Sequence, residues 1–310
     1  MGRLIVTVTP NPAYDVSYTT PGLEPGEVHR VSTVHRRAGG KGVNAASVLT
    51  SLGEPVVASG FGTREFAGDV RALGVRAEFV EVLPHVRTTV AVFDGDRTTS
   101  FWEAGVAPSD PTAAAAMLRD RVAGLLPEAG CLVVSGSLPS GVSHDLPAEL
   151  ARLAHQHGVP CLVDVSGDAL AAAADVAGVA LSPNADELAE LCGPVTDVAA
   201  AARSLVEQGA GVVFATRGAD GIVVAAADGC WVVPGVPGIS GNPTGAGDAA
   251  AAAIARGLAA GEAPAEIAED AVALAAAAVA SPVAGSVDPA RYRAHREQVA
   301  ARPMAVEDVS

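Results

Sequence analysis

The chain has 310 residues, 49% of them hydrophobic, and sets 35 acidic against 20 basic side chains for a formal net charge of −15. That length suits one large domain or two modest ones with a sizeable core, and the acidic balance argues against a nucleic acid or an anionic membrane as partner. No apolar run reaches membrane-spanning length and no secretory signal is visible, so a cytoplasmic location is expected.

Cys131, Cys161, Cys192 and Cys230 are widely spaced, mostly in or beside apolar runs, and are expected to be buried free thiols rather than disulfides or a zinc site. The seven histidines form no metal-spaced pair on a helix, and His155 and His157 belong at a polar helix end in solvent. Of the 20 basic residues 19 are Arg; the single lysine, Lys41, stands inside Gly39-Gly40-Lys41-Gly42. An ammonium and a guanidinium are not interchangeable where space is tight, so the place of Lys41 between glycines favours a functional lysine over the plain alternative of one that merely survived the arginine bias.

In chain order, Leu4–Thr9 is a β-rich run of continuous apolar character, as in a strand buried on both faces of a parallel sheet. Pro10-Asn11-Pro12 ends it and Asp15 lies at its mouth. Residues 14–37 alternate weakly around Pro21-Gly22 and Pro25-Gly26 turns and read as short exposed strands. Gly39-Gly40-Lys41-Gly42-Val43-Asn44 opens a helix through Leu52, with Ala45, Val48, Leu49 and Leu52 on one face. It is not a Walker P-loop, because Gly42 replaces the required Ser or Thr. A strand at 56–60 and a helix at 65–73 follow.

Residues 78–82, 88–93 and 98–102 return to β character, the last two joined at Asp94-Gly95-Asp96, a hairpin signal. The expected division is therefore an α/β body of residues 1–10, 38–76 and 103–310 and an inserted β lid of residues 11–37 and 77–102. From Asp110 onward strands at 131–134, 161–164, 179–181 and 211–215 alternate with helices at 111–126, 146–157, 185–192 and 198–208. Such alternation specifies a doubly wound, mostly parallel sheet flanked by helices. A hairpin of 222–225 and 231–233 and helices at 247–260, 264–280 and 289–300 close the chain, with the residues past Pro303 loose.

The last glycine-rich stretch, Gly241-Asn242-Pro243-Thr244-Gly245-Ala246-Gly247-Asp248, runs into an alanine-rich helix. Its glycines expose backbone N–H groups at the positive end of the helix dipole, which makes an anion site. Asp248 would repel a phosphate merely held there, whereas a loop that moves a phosphoryl group onto an alcohol needs a base for the hydroxyl proton. The plain alternative is a first-turn acid complementing the dipole. Residues 245–250 also fit the dinucleotide fingerprint of an oxidoreductase, but the acid wanted about 20 residues later falls in a stretch that reads as helix.

Asp15, Ser135-Gly136-Ser137-Leu138-Pro139, Ser182-Pro183-Asn184-Ala185-Asp186-Glu187 and Thr216-Arg217-Gly218-Ala219-Asp220-Gly221 each follow a strand. Singly they are explained as turn residues, turn glycines or a helix N-cap at Asn184. Together they lie along one edge of a doubly wound sheet, where ligands collect.

With these segments the chain resembles the ribokinase-type, or PfkB, carbohydrate kinases over nearly its whole length. The pair Gly39-Gly40-Lys41-Gly42-Val43-Asn44 and Asn242-Pro243-Thr244-Gly245-Ala246-Gly247-Asp248 carries the resemblance. Asn11-Pro12-Ala13-Tyr14-Asp15, Pro25-Gly26-Glu27-Val28-His29-Arg30 and Ser135–Pro139 make it most similar to the 1-phosphofructokinase and tagatose-6-phosphate kinase branch. Ser182, where that branch usually has Lys, and Trp102, where it usually has Asn, depart from the pattern.

The resemblance implies an ATP- and Mg²⁺-dependent kinase with Asp248 as general base and the amides of Gly245, Ala246 and Gly247 holding the transferred phosphoryl. It implies that Asp15, Gly39, Gly40 and Asn44 bind sugar hydroxyls, and that Lys41, Arg87, Ser137 and Arg30 hold a phosphate already on the sugar. Arg30, by the same resemblance, can reach over from a partner subunit in a homodimer formed through the lid. Asn184 and Glu187 would act near the Mg²⁺–triphosphate, Glu187 through water, and Thr216, Gly218 and Gly221 would face the nucleotide. Fructose 1-phosphate is the expected substrate, with tagatose 6-phosphate or fructose 6-phosphate next. An unphosphorylated sugar or nucleoside, or a non-catalytic sugar-phosphate sensor, stands further off.

Overall fold

A computed structural model describes residues 2–31, 33–95, 97–241, 244–281 and 283–304. The first strand, β1 (Leu4–Thr9), is buried along five of its six residues, as its unbroken apolar run requires. There follow β2 (Ala13–Thr19), β3 (Thr33–Gly39), α1 (Lys41–Ser51), β4 (Val56–Gly62), α2 (Arg64–Ala72), β5 (Arg76–Glu81), β6 (Arg87–Phe93) and β7 (Thr98–Trp102). The second part runs α3 (Pro111–Leu125), β8 (Ala129–Ser135), α4 (Leu146–Gln156), β9 (Cys161–Asp164), α5 (Asp168–Ala174), β10 (Ala180–Leu181), α6 (Ala185–Cys192), α7 (Val198–Glu207) and β11 (Val212–Thr216). It closes with β12 (Ile222–Ala226), β13 (Gly229–Val233), α8 (Ala246–Ala260), α9 (Pro264–Val279), α10 (Pro289–Arg296) and β14 (Arg302–Pro303).

The main sheet has ten strands in the order β14-β13-β12-β11-β10-β9-β8-β1-β4-β5. It is parallel from β5 to β11 and antiparallel from β12 to β14. The chain first builds outward through β4 and β5, then returns to the other side of β1 with β8. The β1/β8 boundary is thus the topological switch point, whose carboxyl ends open a ligand crevice. One core lies under α1, α2, α8 and α9, around Leu49, Phe66, Ile254 and Leu274. The other lies under α3 to α7, around Leu118, Leu150, Leu170, Leu188 and Leu205. Residues Ala249–Ala255 of α8 are all buried, and the six alanines among them let α8 lie close to its neighbours.

A separate sheet of four strands, in the order β3-β2-β6-β7, stands over the crevice. Its membership corrects the expected lid: β5 pairs with β4 in the main sheet, with Gly60 opposite Phe79. It reads as exposed because it is an edge strand whose Glu78 is ion-paired to Arg76 and Arg121 and whose Glu81 pairs with Arg64. Two short elements lie outside the sequence expectations, α5 and β14. The first is a seven-residue helix begun by Gly167 at φ 60°; the second is two edge residues, too short for any periodicity. Helix α10 ends at Arg296, short of the expected 300. Cys131, Cys161 and Cys230 are buried free thiols, whereas Cys192 at the end of α6 is exposed. His155 and His157 are exposed as expected. Asp96 of the hairpin turn and residues 305–310 lie outside the described residues. No helix among the described residues is long and apolar enough to cross a membrane.

The terminal helix α10 is tied down by polar groups. Arg256 of α8 donates to Asp270 of α9 at 2.6 Å and to the Tyr292 hydroxyl of α10 at 2.5 Å, while that hydroxyl donates to Asp270. Removing the acid leaves a largely buried guanidinium without its counter-charge. Asp270→Ala is expected to cost about 3 kcal/mol in urea unfolding while leaving turnover per folded molecule unchanged. An unaltered midpoint would remove this clasp from the account of stability.

Candidate active site

Two glycines bring helix α1 against the exit of β1. Gly40 has φ 93°, and a Cβ there would lie 3.0 Å from Thr9 Cγ2 and 3.2 Å from Pro12 Cα. A Cβ on Gly39 would collide with the Asp15 carboxylate. With both side chains absent, Asn44 in the first turn of α1 reaches two acids. Its Nδ2 donates to Asp15 Oδ2 and to Asp248 Oδ2, each at 3.0 Å. Asp15 also accepts from the Thr89 hydroxyl at 2.7 Å. The Asn44 Oδ1 is buried and has no hydrogen-bond partner among the described residues.

Asp248 lies in the first turn of α8 and is 8% exposed. Burial, and then the charge of Asp164, push its pKa from the ordinary 3.8 up to about 7, against the pull of Lys41 and the Asn44 hydrogen bond. The preceding Gly245 is left-handed at φ 90°, and a Cβ there would come within 2.9 Å of Ala284. Beside it Gly247 faces open space. The first N–H groups of α8 have no acceptor within the helix, and they lie beside the Asp248 carboxylate. Asn242 and Pro243, at the start of this motif, lie outside the described residues. The acids expected by the dinucleotide fingerprint fall within α9, a helix, so that fingerprint has no structural counterpart.

On the other side of Asp248, Lys41 Nζ donates to Asp164 Oδ1 at 3.0 Å, and the Ser135 hydroxyl donates to Asp164 Oδ2 at 2.6 Å. The Asp164 charge raises the lysine pKa, with smaller contributions from Glu187 and Asp248. Glu187 is half-buried and its pKa is raised by that burial. Its side chain accepts from the Asn184 backbone N–H and the Asn184 side chain accepts from the Glu187 N–H, both at 2.9 Å, a capping box at the start of α6. Asn184 bridges to Thr216 in parallel fashion, which joins the ends of β10 and β11. Gly218 starts a 3-10 turn, Gly218–Asp220, with open space at its Cβ position. Gly221, at φ 90°, is explained by packing, since a Cβ would strike the Val233 carbonyl.

At the switch point, Asn11 Nδ2 donates to Ser137 Oγ at 3.0 Å and to the Ala104 carbonyl at 3.1 Å. Arg87 donates to the carbonyls of Asn11 at 3.3 Å and Glu103 at 2.7 Å, and its buried Nε has no partner among the described residues. Arg87 and Ser137 thus adjoin one another through Asn11. Lys41 lies next to Gly136, but its ammonium is taken by Asp164. Arg30 is exposed in the loop between β2 and β3, without a hydrogen bond or ion pair among the described residues, so this chain alone does not bring it to the site.

Asp164, Asn11, Arg37 and Thr89 belong to the site and lie outside the sequence expectations. Asp164 carried a legible signal, an acid at the carboxyl end of a parallel strand. Arg37 did not: it donates to the Ala284 carbonyl at 2.5 Å and to Ser47 at 2.9 Å, partners remote or unremarkable in sequence.

A buried carboxylate at a glycine-opened helix start thus lies one side-chain amide away from a second acid, Asp15, beside the switch point of the sheet. The pfkB family carbohydrate kinase model matches residues 7–291, and the chain belongs to that family. It is a kinase of the ribokinase-like fold. Phosphofructokinase-2 from Escherichia coli, solved with potassium, is 26% identical and superposes with a TM-score of 0.88 over 96% of this chain and 99% of its own. That enzyme has also been solved with fructose-6-phosphate and in a tetrameric inhibited form. A possible 1-phosphofructokinase from Thermotoga maritima has 23% identity and a TM-score of 0.87, covering 97% of this chain and 100% of that one. Arabidopsis thaliana ribokinase, complexed with ribose and ATP, has 20% identity and a TM-score of 0.72, covering 96% and 99%. These last two are likenesses of fold.

Because the folded state holds the Asp248 proton more tightly than the unfolded chain, its contribution to stability is complete below pH 3.8 and is lost as pH rises through about 7. Asp248→Asn removes this loss. Its melting temperature should match the parent's near pH 4 and exceed it by about 3 °C or more at pH 8. A pH-independent difference would show that burial does not perturb this carboxyl.

Proposed function

We propose that the protein transfers the γ-phosphoryl group of ATP to a hydroxymethyl group of a ketohexose phosphate, with fructose 1-phosphate yielding the 1,6-bisphosphate as the first choice. Tagatose 6-phosphate and fructose 6-phosphate are the nearest alternatives. The observation that carries this reading is the amide of Asn44 shared between Asp15 and Asp248. A sugar hydroxyl held by Asp15 and Asn44 would meet the Asp248 carboxylate directly. Family membership and the phosphofructokinase-2 neighbour's fructose-6-phosphate complex support the substrate class.

In this reading Asp15 and Asn44 orient the acceptor hydroxyl and Asp248 takes its proton. The amides of Gly245, Ala246 and Gly247 stabilise the negative charge of the group in transit. Arg87 and Ser137 hold the phosphate already on the sugar, and the unpartnered Arg87 Nε supports an anion there. Lys41, between Asp164 and Asp248, neutralises the transferring phosphoryl. Gly39 and Gly40 keep the pocket wall flat, while Asn184, Thr216, Gly218 and Gly221 frame the nucleotide side. Asp164 and Glu187 are hard oxygen donors beside Lys41, and the described residues contain no group of three or more metal-ligating side chains. That donor set suits Mg²⁺, which keeps water and phosphate ligands and needs few carboxylates. When bound, ATP supplies the phosphoryl group and Mg²⁺ shields its charge.

The small sheet's second face supports a homodimer. Val16, Tyr18, Val90 and Val92 lie there in register with Val34 and Phe101, which are 55% and 57% exposed. We propose that, in such a dimer, Arg30 contributes to its neighbour's site, as the family resemblance implies.

ADP release across a panel of phosphorylated and plain sugars tests the reading. Turnover is expected on a fructose phosphate, and Asp248→Asn is expected to lower it by about 10²–10⁴-fold. Binding of sugar phosphates without turnover of any would replace the enzyme by a sensor. Arg87→Met should raise KM for phosphorylated sugars selectively, whereas Lys41→Met should lower kcat on every sugar accepted. Equal effects of Arg87→Met on plain sugars would refute the phosphate clamp.

A further inference from the structure

Four residues face one another across the small sheet. Arg37 on β3 opposes Asp15 on β2, Asp15 opposes Thr89 on β6, and Thr89 opposes Trp102 on β7. Directly opposed residues share a face, so the row presents a guanidinium, a carboxylate, a hydroxyl and an indole to the same side. That side is the crevice, where all four border a cleft together with Thr244, Val283 and Ala284 from the loops around α8. Three members of the row are committed. Arg37 is tied to Ser47 and Ala284, Asp15 accepts from Asn44 and Thr89, and Thr89 is spent on Asp15. Trp102 makes no ring contact, cation–π contact or hydrogen bond among the described residues and is 77% exposed.

An indole left this open on a cleft wall is a large apolar surface in want of a partner. Strand alternation separates it from the apolar outer face, because its neighbour Phe101 points there and Trp102 points inward. We propose that Trp102 is the stacking surface for the ring of the acceptor sugar, and that it makes the site selective for substrates presenting a cyclic C–H face. This rests on the sugar-kinase reading above. A sugar ring carries hydroxyls around its rim and C–H bonds on its faces. The rim needs directional partners, which Asp15 and Asn44 supply; the faces gain from aromatic contact, which in this cleft Trp102 supplies. Two strand spacings separate Asp15 from Trp102, about 10 Å of backbone, with only the short side chain of Thr89 between them.

The test uses the chain's own fluorescence. It has two tryptophans, and Trp231→Phe, on β13 away from the crevice, leaves Trp102 as the only indole. Titration of that variant with fructose 6-phosphate and with fructose 1-phosphate, without nucleotide, should give a saturable change in emission. In parallel, Trp102→Ala should raise KM for the sugar about tenfold with kcat held within about twofold, as for a contact made equally in ground and transition states. Trp102→Phe, which keeps an aromatic face, should restore KM to within about threefold of the parent. Unchanged emission at saturating sugar phosphate, or an unchanged KM in Trp102→Ala, overturns the proposal. So does a Trp102→Ala effect confined to the molecular mass in light scattering, which would assign the residue to a subunit contact. If the parent turns over no sugar, the kinase reading falls, yet a saturable emission change would still uphold Trp102 as the ring-binding surface.

Discussion

One side-chain amide holds the site together. Asn44 projects from a helix begun by glycines, and its two N–H bonds end on carboxylates from different parts of the chain, Asp15 from the small sheet and Asp248 from α8. Two like charges at such a spacing repel, and burial raises the cost for Asp248 further. The shared donor offsets part of that repulsion and fixes the relative position of the group that would hold a hydroxyl and the group that would deprotonate it. Everything near the pair serves to let it form. Gly39 and Gly40 make room, Gly245 turns the chain into α8 with left-handed backbone, and Lys41 places a positive charge beside a third acid, Asp164.

The sheet topology explains why these residues meet. A doubly wound sheet offers its strand carboxyl ends on one edge, and reversal of strand order between β1 and β8 separates the loops there into a crevice. Asn11, Ser137 and Asp164 follow or end adjacent strands, so their proximity follows from register rather than from sequence distance. The four-stranded sheet stands over this crevice and brings Asp15, Thr89 and Arg87 down onto it. A carbohydrate kinase needs such a cover, since phosphoryl transfer to an alcohol competes with transfer to water.

Much was legible in the residues. Continuous apolar strands alternating with amphipathic helices imply a parallel sheet flanked on both faces, and the strands of continuous apolar character lie in that sheet as expected. The glycine-rich segments before α1 and α8 announce backbone anion sites by composition, and the single lysine stands out against a background of arginines. These signals are local: they depend on periodicity, backbone conformational freedom and the chemistry of a side chain beside its neighbours.

Other features depended on pairing, which periodicity does not encode. The strand Arg76–Glu81 is polar enough to pass for part of an exposed layer, and only its register beside β4 assigns it to the main sheet. Arg37 looks like one of two adjacent surface arginines until the fold sets it against Ala284 and Ser47. Trp102 is one aromatic in a β run, and cross-strand register alone puts it in line with Asp15. By itself the sequence determined most of the elements, the type of the main sheet and the two glycine-opened helix starts, because these follow from interactions within a few residues. The tertiary structure decided which acids share a donor, which cation meets which charge and which face of the small sheet looks inward, because those follow from contacts between residues up to 247 positions apart.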